Sequence, residues 1–127
     1  MIAVDTSALV TILLQEPRID DCITALSNDN EVLISAGTLA ETAIIASCKG
    51  LSAELASLIE NMGLQVIPVT QTTTTRIGQI YARWGKGLHP AGLNFGDCFA
   101  YDVAKEHSCP LLFVGNDFSR TDVESAL

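Results

Sequence analysis

At 127 residues, 48% of them hydrophobic, the chain is long enough to bury a core without disulfide or metal staples. No apolar run is longer than Ala43 to Ala46, far short of the roughly 20 residues that cross a bilayer, and Asp5 interrupts the N-terminus where a signal peptide needs an unbroken apolar segment. Fifteen acids against 7 bases give a net charge of −8, which argues against the basic face that nucleic-acid binders usually carry.

Ile2 to Val4 is β-prone and ends at Asp5-Thr6-Ser7, three residue types that cap helices well. An apolar helical stretch, Ala8 to Leu14, follows, and Pro17 punctuates its end. Ile19 to Leu26 reads as a second helix, closed by the turn-rich Ser27 to Asn30. Val32 to Ile34 is a short strand, and Ala36 to Lys49 a helix with Gly50 where a left-handed cap belongs. Ser52 caps the next helix, whose Leu55, Leu58, Ile59 and Met62 recur at i, i+3, i+4 and i+7 before Gly63 stops it. Leu64 to Ile67 is a strand. Thr70 opens a longer helix carrying Ile77, Ile80, Tyr81 and Trp84 on one face, and the loop Gly85 to Leu93 leads to a helix from Asn94. Leu111 to Val114 is the last strand, followed by Gly115-Asn116-Asp117.

Short apolar strands alternating with helices predict an α/β fold with a mostly parallel sheet flanked by helices on both faces. No linker or repeat divides the chain, so one domain over residues 1–127 is expected. Ligands of such sheets gather beyond the carboxyl ends of the strands, which puts Asp5 and Asp117 at the same edge.

Each candidate acid has an ordinary explanation. Asp5 could cap a helix, Asp97 could be the capping partner of Asn94 three residues earlier, Glu41 could be a wet helix position and Asp117 a turn residue. Their neighbours weaken that reading. Glu41 is the only charge from Val32 to Ser47, and Asp97 lies between Phe95-Gly96 and Cys98-Phe99-Ala100. Asp5 and Asp117 each follow an apolar strand. Four acids emerging from apolar surroundings would repel one another unless a cation joined them, and an all-oxygen set suits Mg²⁺ or Mn²⁺ rather than zinc. The four cysteines have no CxxC spacing, so buried free thiols and a reducing, cytoplasmic setting are expected.

Asp5-Thr6-Ser7-Ala8-Leu9 is similar to the opening of PIN-domain nucleases, and Leu39-Ala40-Glu41 to their second acidic position. The segment from His89-Pro90-Ala91 through Leu93-Asn94-Phe95-Gly96-Asp97-Cys98-Phe99-Ala100-Tyr101 resembles VapC toxins of bacterial toxin–antitoxin pairs. So do Pro110 to Phe113, then Gly115-Asn116-Asp117-Phe118 and Thr121-Asp122. Leu88 and Gly92 depart from the pattern, since relatives are often basic or bulkier there. The resemblance implies a PIN-like three-layer fold. It implies that Asp5, Glu41, Asp97 and Asp117 hold one or two Mg²⁺ or Mn²⁺ ions, with Ser7 ordering the first acid. It further implies an endoribonuclease toxin leaving a 5′-phosphate. The implied partners are RNA, a cognate antitoxin that masks the acids with a basic side chain, and a second copy of the chain. Ile19 to Leu26 and Ala43 to Ile45 are the apolar stretches available for that homodimer contact.

The charge objection then softens. Setting the four site acids aside from 15 leaves 11 against 7 bases, and no acid lies between Glu60 and Asp97. Arg76, Arg83 and Lys86 fall in that interval at i, i+7 and i+10, within about 20° and 80° of one direction on a continuous helix. They form either a solvated face or a phosphate-binding stripe. His89 before Pro90 reads as a loop hydrogen-bonder or substrate contact, and His107 as structural. Two rivals remain: a catalytically silent PIN-like binding or regulatory module, against which all four acids count, and a phosphoacceptor domain, which would lack its glycine-rich phosphate loop.

Overall fold

The computed structural model describes residues 1–127. Strands β1 (Ile2–Val4), β2 (Val32–Ser35), β3 (Leu64–Ile67) and β4 (Leu111–Leu112) form one sheet in the order β3-β2-β1-β4, every neighbouring pair parallel. The connections between them run through helices α1 (Thr6–Leu13), α2 (Ile19–Ser27), α3 (Ala36–Cys48), α4 (Ser52–Met62), α5 (Gln71–Trp84) and α6 (Phe95–Glu106). The sheet is wholly parallel, as crossover helices require.

Alternation along the strands divides the core between the two faces of the sheet. Ile2, Val4, Val32, Ile34 and Leu112 pack with Ala8 and Leu9 of α1 and with Cys22 and Leu26 of α2. Ala3, Leu33 and Leu111 pack with Trp84 of α5 and with Cys98, Tyr101 and Val103 of α6. Burial on both faces explains why the strands read as continuous apolar runs. α3 touches α1 on one side and α6 on the other, so it carries Glu41 between the two helical layers. Register completes the arrangement: Ile2 pairs with Val32 and Val4 with Leu112, so Asp5, Ser35 and the residues after β4 leave the sheet at one edge.

Several expectations change. β4 stops at Leu112, two residues earlier than expected, because Val114 turns its amide to a side chain of α1. The apolar face of α2 is divided: Cys22, 0% exposed, and Leu26, 2% exposed, enter the core, while Ile19 and Ile23 are half-buried and stay outside the core clusters. α5 ends at Trp84, and the following Gly85 bridges to Leu93, so Lys86 lies off the helix and shares no helical face with Arg76. Cys22 and Cys98 are buried free thiols, but Cys109 is half-buried and Cys48 exposed.

Candidate active site

The tripeptide Asp5-Thr6-Ser7 ties three parts of the chain together. Asp5 caps α1, its Oδ2 accepting from the Ser7 amide at 3.0 Å and from Ser7 Oγ at 2.7 Å. Ser7 Oγ in turn accepts from the Val114 amide at 3.0 Å, fastening the segment after β4 to the start of α1. Thr6 Oγ1 reaches across to α3 and donates to Glu41 Oε1 at 2.6 Å. The other oxygen of Asp5, Oδ1, is buried without any hydrogen-bond partner. Burial pushes the Asp5 carboxyl above its ordinary range, against the lowering effect of the Ser7 bonds, and the nearby Glu41 charge adds to the rise.

Asp97 occupies the third position of α6 in a complete capping box. Its amide donates to Asn94 Oδ1 at 2.9 Å, and the Asn94 amide donates to Asp97 Oδ2 at 3.0 Å. The capping explanation for Asp97 is thus correct, and it leaves Oδ1 uncommitted. The carboxyl is 8% exposed and its pKa is pushed up to about 6, first by burial and then by the charges of Asp5, Asp117 and Glu41, against the Asn94 bond. Four segments remote in sequence therefore bring their acids into one field. Asp117 is the exposed member, on the loop after β4. None of the chain's ion pairs involves any of the four.

Three supporting residues escaped the sequence reading of the site: Thr6, Asn94 and Gly96. The Asn94–Asp97 spacing was readable as a cap but not as support for a site. A Cβ built on Gly96 would collide with the Glu41 carboxylate, so glycine there lets Glu41 lie against the start of α6. Only the packing reveals that.

The all-oxygen set and the orphaned, buried Asp5 Oδ1 fit a hard divalent cation, because an unpaired buried carboxylate oxygen is costly without one. Asp5, Glu41 and Asp97 each have one oxygen fixed by a hydrogen bond and one left over. In these rotamers no three of them close into a compact ligand cluster.

The expected basic stripe does not form as one. Arg76 is held by α6: its Nε lies 2.6 Å from Asp102 Oδ1 and 3.0 Å from Glu106 Oε1, and its Nη2 donates to Asp102 Oδ2 at 3.1 Å. Arg83 lies over the Trp84 ring at 4.5 Å and 4.0 Å from Asp122. Lys86 makes no ion pair. Trp84 is core, its Nε1 donating to Tyr101 at 3.0 Å.

Alternative nucleophiles are closed off. Cys98 Sγ is buried and donates to the Asn94 carbonyl, and burial, together with the neighbouring Asp97 charge, lifts its pKa to about 11, so it stays a thiol. His89 uses Nδ1 to accept from the Ala91 amide and packs edge-on to Trp84, and His107 closes the end of α6. Beside the acids runs an apolar groove of about 660 Å³, lined by Ala40, Ile44, Ile45, Val69, Phe95 and Phe99, with Glu41 in its wall.

Residues 2–124 match the family description "PIN domain". The chain is 40% identical to VapC ribonuclease Mb0625 of Mycobacterium bovis over 128 aligned positions, covering 98% of this chain and 96% of that protein. Its fold superposes on crystalline VapC20 of Mycobacterium tuberculosis, described as a sarcin-ricin-loop-cleaving toxin. There the TM-score is 0.79 and the identity 17%, over 97% of this chain and 96% of that one. A toxin–antitoxin complex from Klebsiella pneumoniae is similar at a TM-score of 0.72 and 18% identity, over 96% and 93% of the two chains.

Proposed function

This chain belongs to the PIN domain family, and on that premise we propose that it is an Mg²⁺- or Mn²⁺-dependent endoribonuclease, the toxin of a toxin–antitoxin pair, formed by one domain over residues 1–127. The observation that carries the proposal is the convergence of four acids at one edge of the sheet with no base among them. A structural acid cluster would be relieved by Lys or Arg, and this chain places its bases elsewhere.

Asp5, Glu41 and Asp97 are the residues that would hold the ion, with Asp117 at the open side. A divalent ion in that position supplies charge neutralisation at the phosphate and a water acidic enough to attack at neutral pH. The chain's own residues do the rest. Ser7 and the Asn94 cap orient Asp5 and Asp97 through the bonds above, and the hydroxyl of Thr6 holds one oxygen of Glu41. No side chain acts as nucleophile, since Cys98 is a buried thiol and His89 is engaged in its loop. Of the three bases read as a stripe, Arg83 and Lys86 are exposed and would touch the RNA backbone, whereas Arg76 is committed to Asp102 and Glu106.

The partner reading rests on the same edge. The groove beside Glu41, with Phe95 72% and Ile44 66% exposed, offers an antitoxin an apolar seat next to acids that a basic side chain would neutralise. Homodimerisation would draw on the apolar stretches Ile19 to Leu26, where Ile19 and Ile23 are half-buried, and Ala43 to Ile45, where Ala43 and Ile44 are exposed. The test is RNA cleavage with Mg²⁺ or Mn²⁺ by wild type, Asp5→Asn and Asp97→Asn. Both substitutions are expected to remove it, and equal cleavage by all three proteins would end the proposal.

A further inference from the structure

Asp5 and Asp97 are each anchored by a backbone amide, those of Ser7 and Asn94. Glu41 has none. It sits in the interior of α3, where every amide is taken by the helix, and its side chain is the longest and most freely rotating of the three. Its one hydrogen bond comes from Thr6 Oγ1 at 2.6 Å, the length of a strong bond from hydroxyl to carboxylate.

The surroundings of Thr6 decide where its single proton goes. The alternative acceptor, the Thr38 carbonyl, lies at 3.3 Å, too long to compete with a charged oxygen at 2.6 Å. Thr42 Oγ1, 3.2 Å from Thr6 Oγ1, donates its own proton to the Thr38 carbonyl at 2.9 Å, and as a neutral acceptor at 3.2 Å it does not compete with the charged Glu41 oxygen at 2.6 Å for the proton of Thr6. Thr6 is 7% exposed and Thr38 and Thr42 are fully buried, so water does not replace these bonds. On its far side the carboxylate lies where a Cβ of residue 96 would be.

We infer that Thr6 is a positioning residue for Glu41: its hydroxyl fixes Oε1 and leaves Oε2, beside Gly96 at the start of α6, as the oxygen offered to the metal. This rests on the proposed metal site. Thr6 and Ser7, consecutive in the chain, then set the positions of two acids, Glu41 and Asp5, that arrive from different parts of the fold.

The measurement is Mn²⁺ affinity by calorimetry on the folded full-length protein, with kcat and KM for RNA beside it. Thr6→Val keeps the volume and removes the hydroxyl, and it is expected to weaken Mn²⁺ binding about 10-fold, the usual scale for losing a group that supports a ligand. At saturating Mn²⁺ it lowers kcat and leaves KM for RNA unchanged. Thr6→Ser keeps the hydroxyl and is expected to bind Mn²⁺ within about twofold of wild type. A purely packing role reverses that order, with Val benign and Ser, which leaves a methyl-sized void, the worse variant. Should Thr6→Val fail to fold, Thr6→Ala takes its place against Thr6→Ser. Wild-type Mn²⁺ affinity in the hydroxyl-free variant, or the reversed order, overturns the inference while the metal site stands. Absence of Mn²⁺ binding by the wild type removes the site itself, and the role of Thr6 with it.

Discussion

Asp97 and Asp102 lie five residues apart on α6, both buried, at 8% and 4% exposure, and they are compensated in opposite ways. Asp102 receives two hydrogen bonds from the Arg76 guanidinium, a forked pairing that satisfies charge and geometry together. Asp97 has one backbone amide, three further acids in its field and no base. The contrast extends to their surroundings. Near Asp102, Asp122 accepts from Tyr101 at 2.6 Å and from Lys105 at 3.2 Å. Near Asp97, Asp5 keeps an oxygen with no partner at all. An acid that folds beside a fixed cation is complete in itself. One that folds beside other acids keeps a charge that nothing in the chain compensates.

The largest difference between the two acids is expected in catalysis. Asp97→Asn should lower RNA cleavage by about a hundredfold or more, since groups that merely support a metal ligand already cost 10- to 100-fold when removed, while Asp102→Asn should keep kcat per folded molecule within about threefold. Equal losses would dissolve the contrast. Metal binding should follow the same division. Mn²⁺ at a hundred times its Kd stabilises a folded protein by about 2.7 kcal/mol. A matching rise in Tm is expected for wild type and Asp102→Asn and none for Asp97→Asn. A rise in all three would place the ion elsewhere.

Stability without metal should sort them the other way. Asp102→Asn leaves Arg76, whose side chain is 32% exposed, without its forked partner, and about 2 kcal/mol of loss is expected in urea melts. The smallest effect is the pH dependence of Asp97. Its folded pKa of about 6 stands above the ordinary 3.8, so the folded chain holds a proton that the unfolded chain has released. Its favourable contribution is fully present below about pH 4 and is lost as pH rises to 6. In EDTA, Asp97→Asn should therefore stabilise by about 1–2 kcal/mol at pH 7.5 and by almost nothing at pH 4. A gain independent of pH would mean that the charge on Asp97 is not what costs stability.

The division between the two acids was only half legible in the sequence. Glu41 and Asp97 stood out because their neighbours are uncharged, and Asp5 and Asp117 because strand ends in a parallel sheet share an edge. Those are local signals. What completes each acid is not local: Arg76 meets Asp102 across 26 residues, Thr6 meets Glu41 across 35 and Ser7 meets Val114 across 107. Helical geometry placed Arg76, Arg83 and Lys86 on one side, but it assumed that the helix continued past Gly85 and could not show that acids of α6 were waiting for the arginine. α2 divides for a related reason. Its spacing showed an apolar face, but only packing shows that Cys22 and Leu26 are covered by the core while Ile19 and Ile23 are not fully buried.

The bond between Ser7 and Val114 ties the two ends of the chain together at the acidic edge. β1, which leads to the first acid, lies beside β4, the last strand to be made. A chain still growing has Asp5 and Glu41 early, but before residue 97 it carries two of the four acids and no neighbour for that side of β1. The edge that gathers the four acids therefore depends on closing a contact that spans 107 residues: until β4 pairs with β1 and the Val114 amide reaches Ser7, Asp117 has no fixed place beside Asp5.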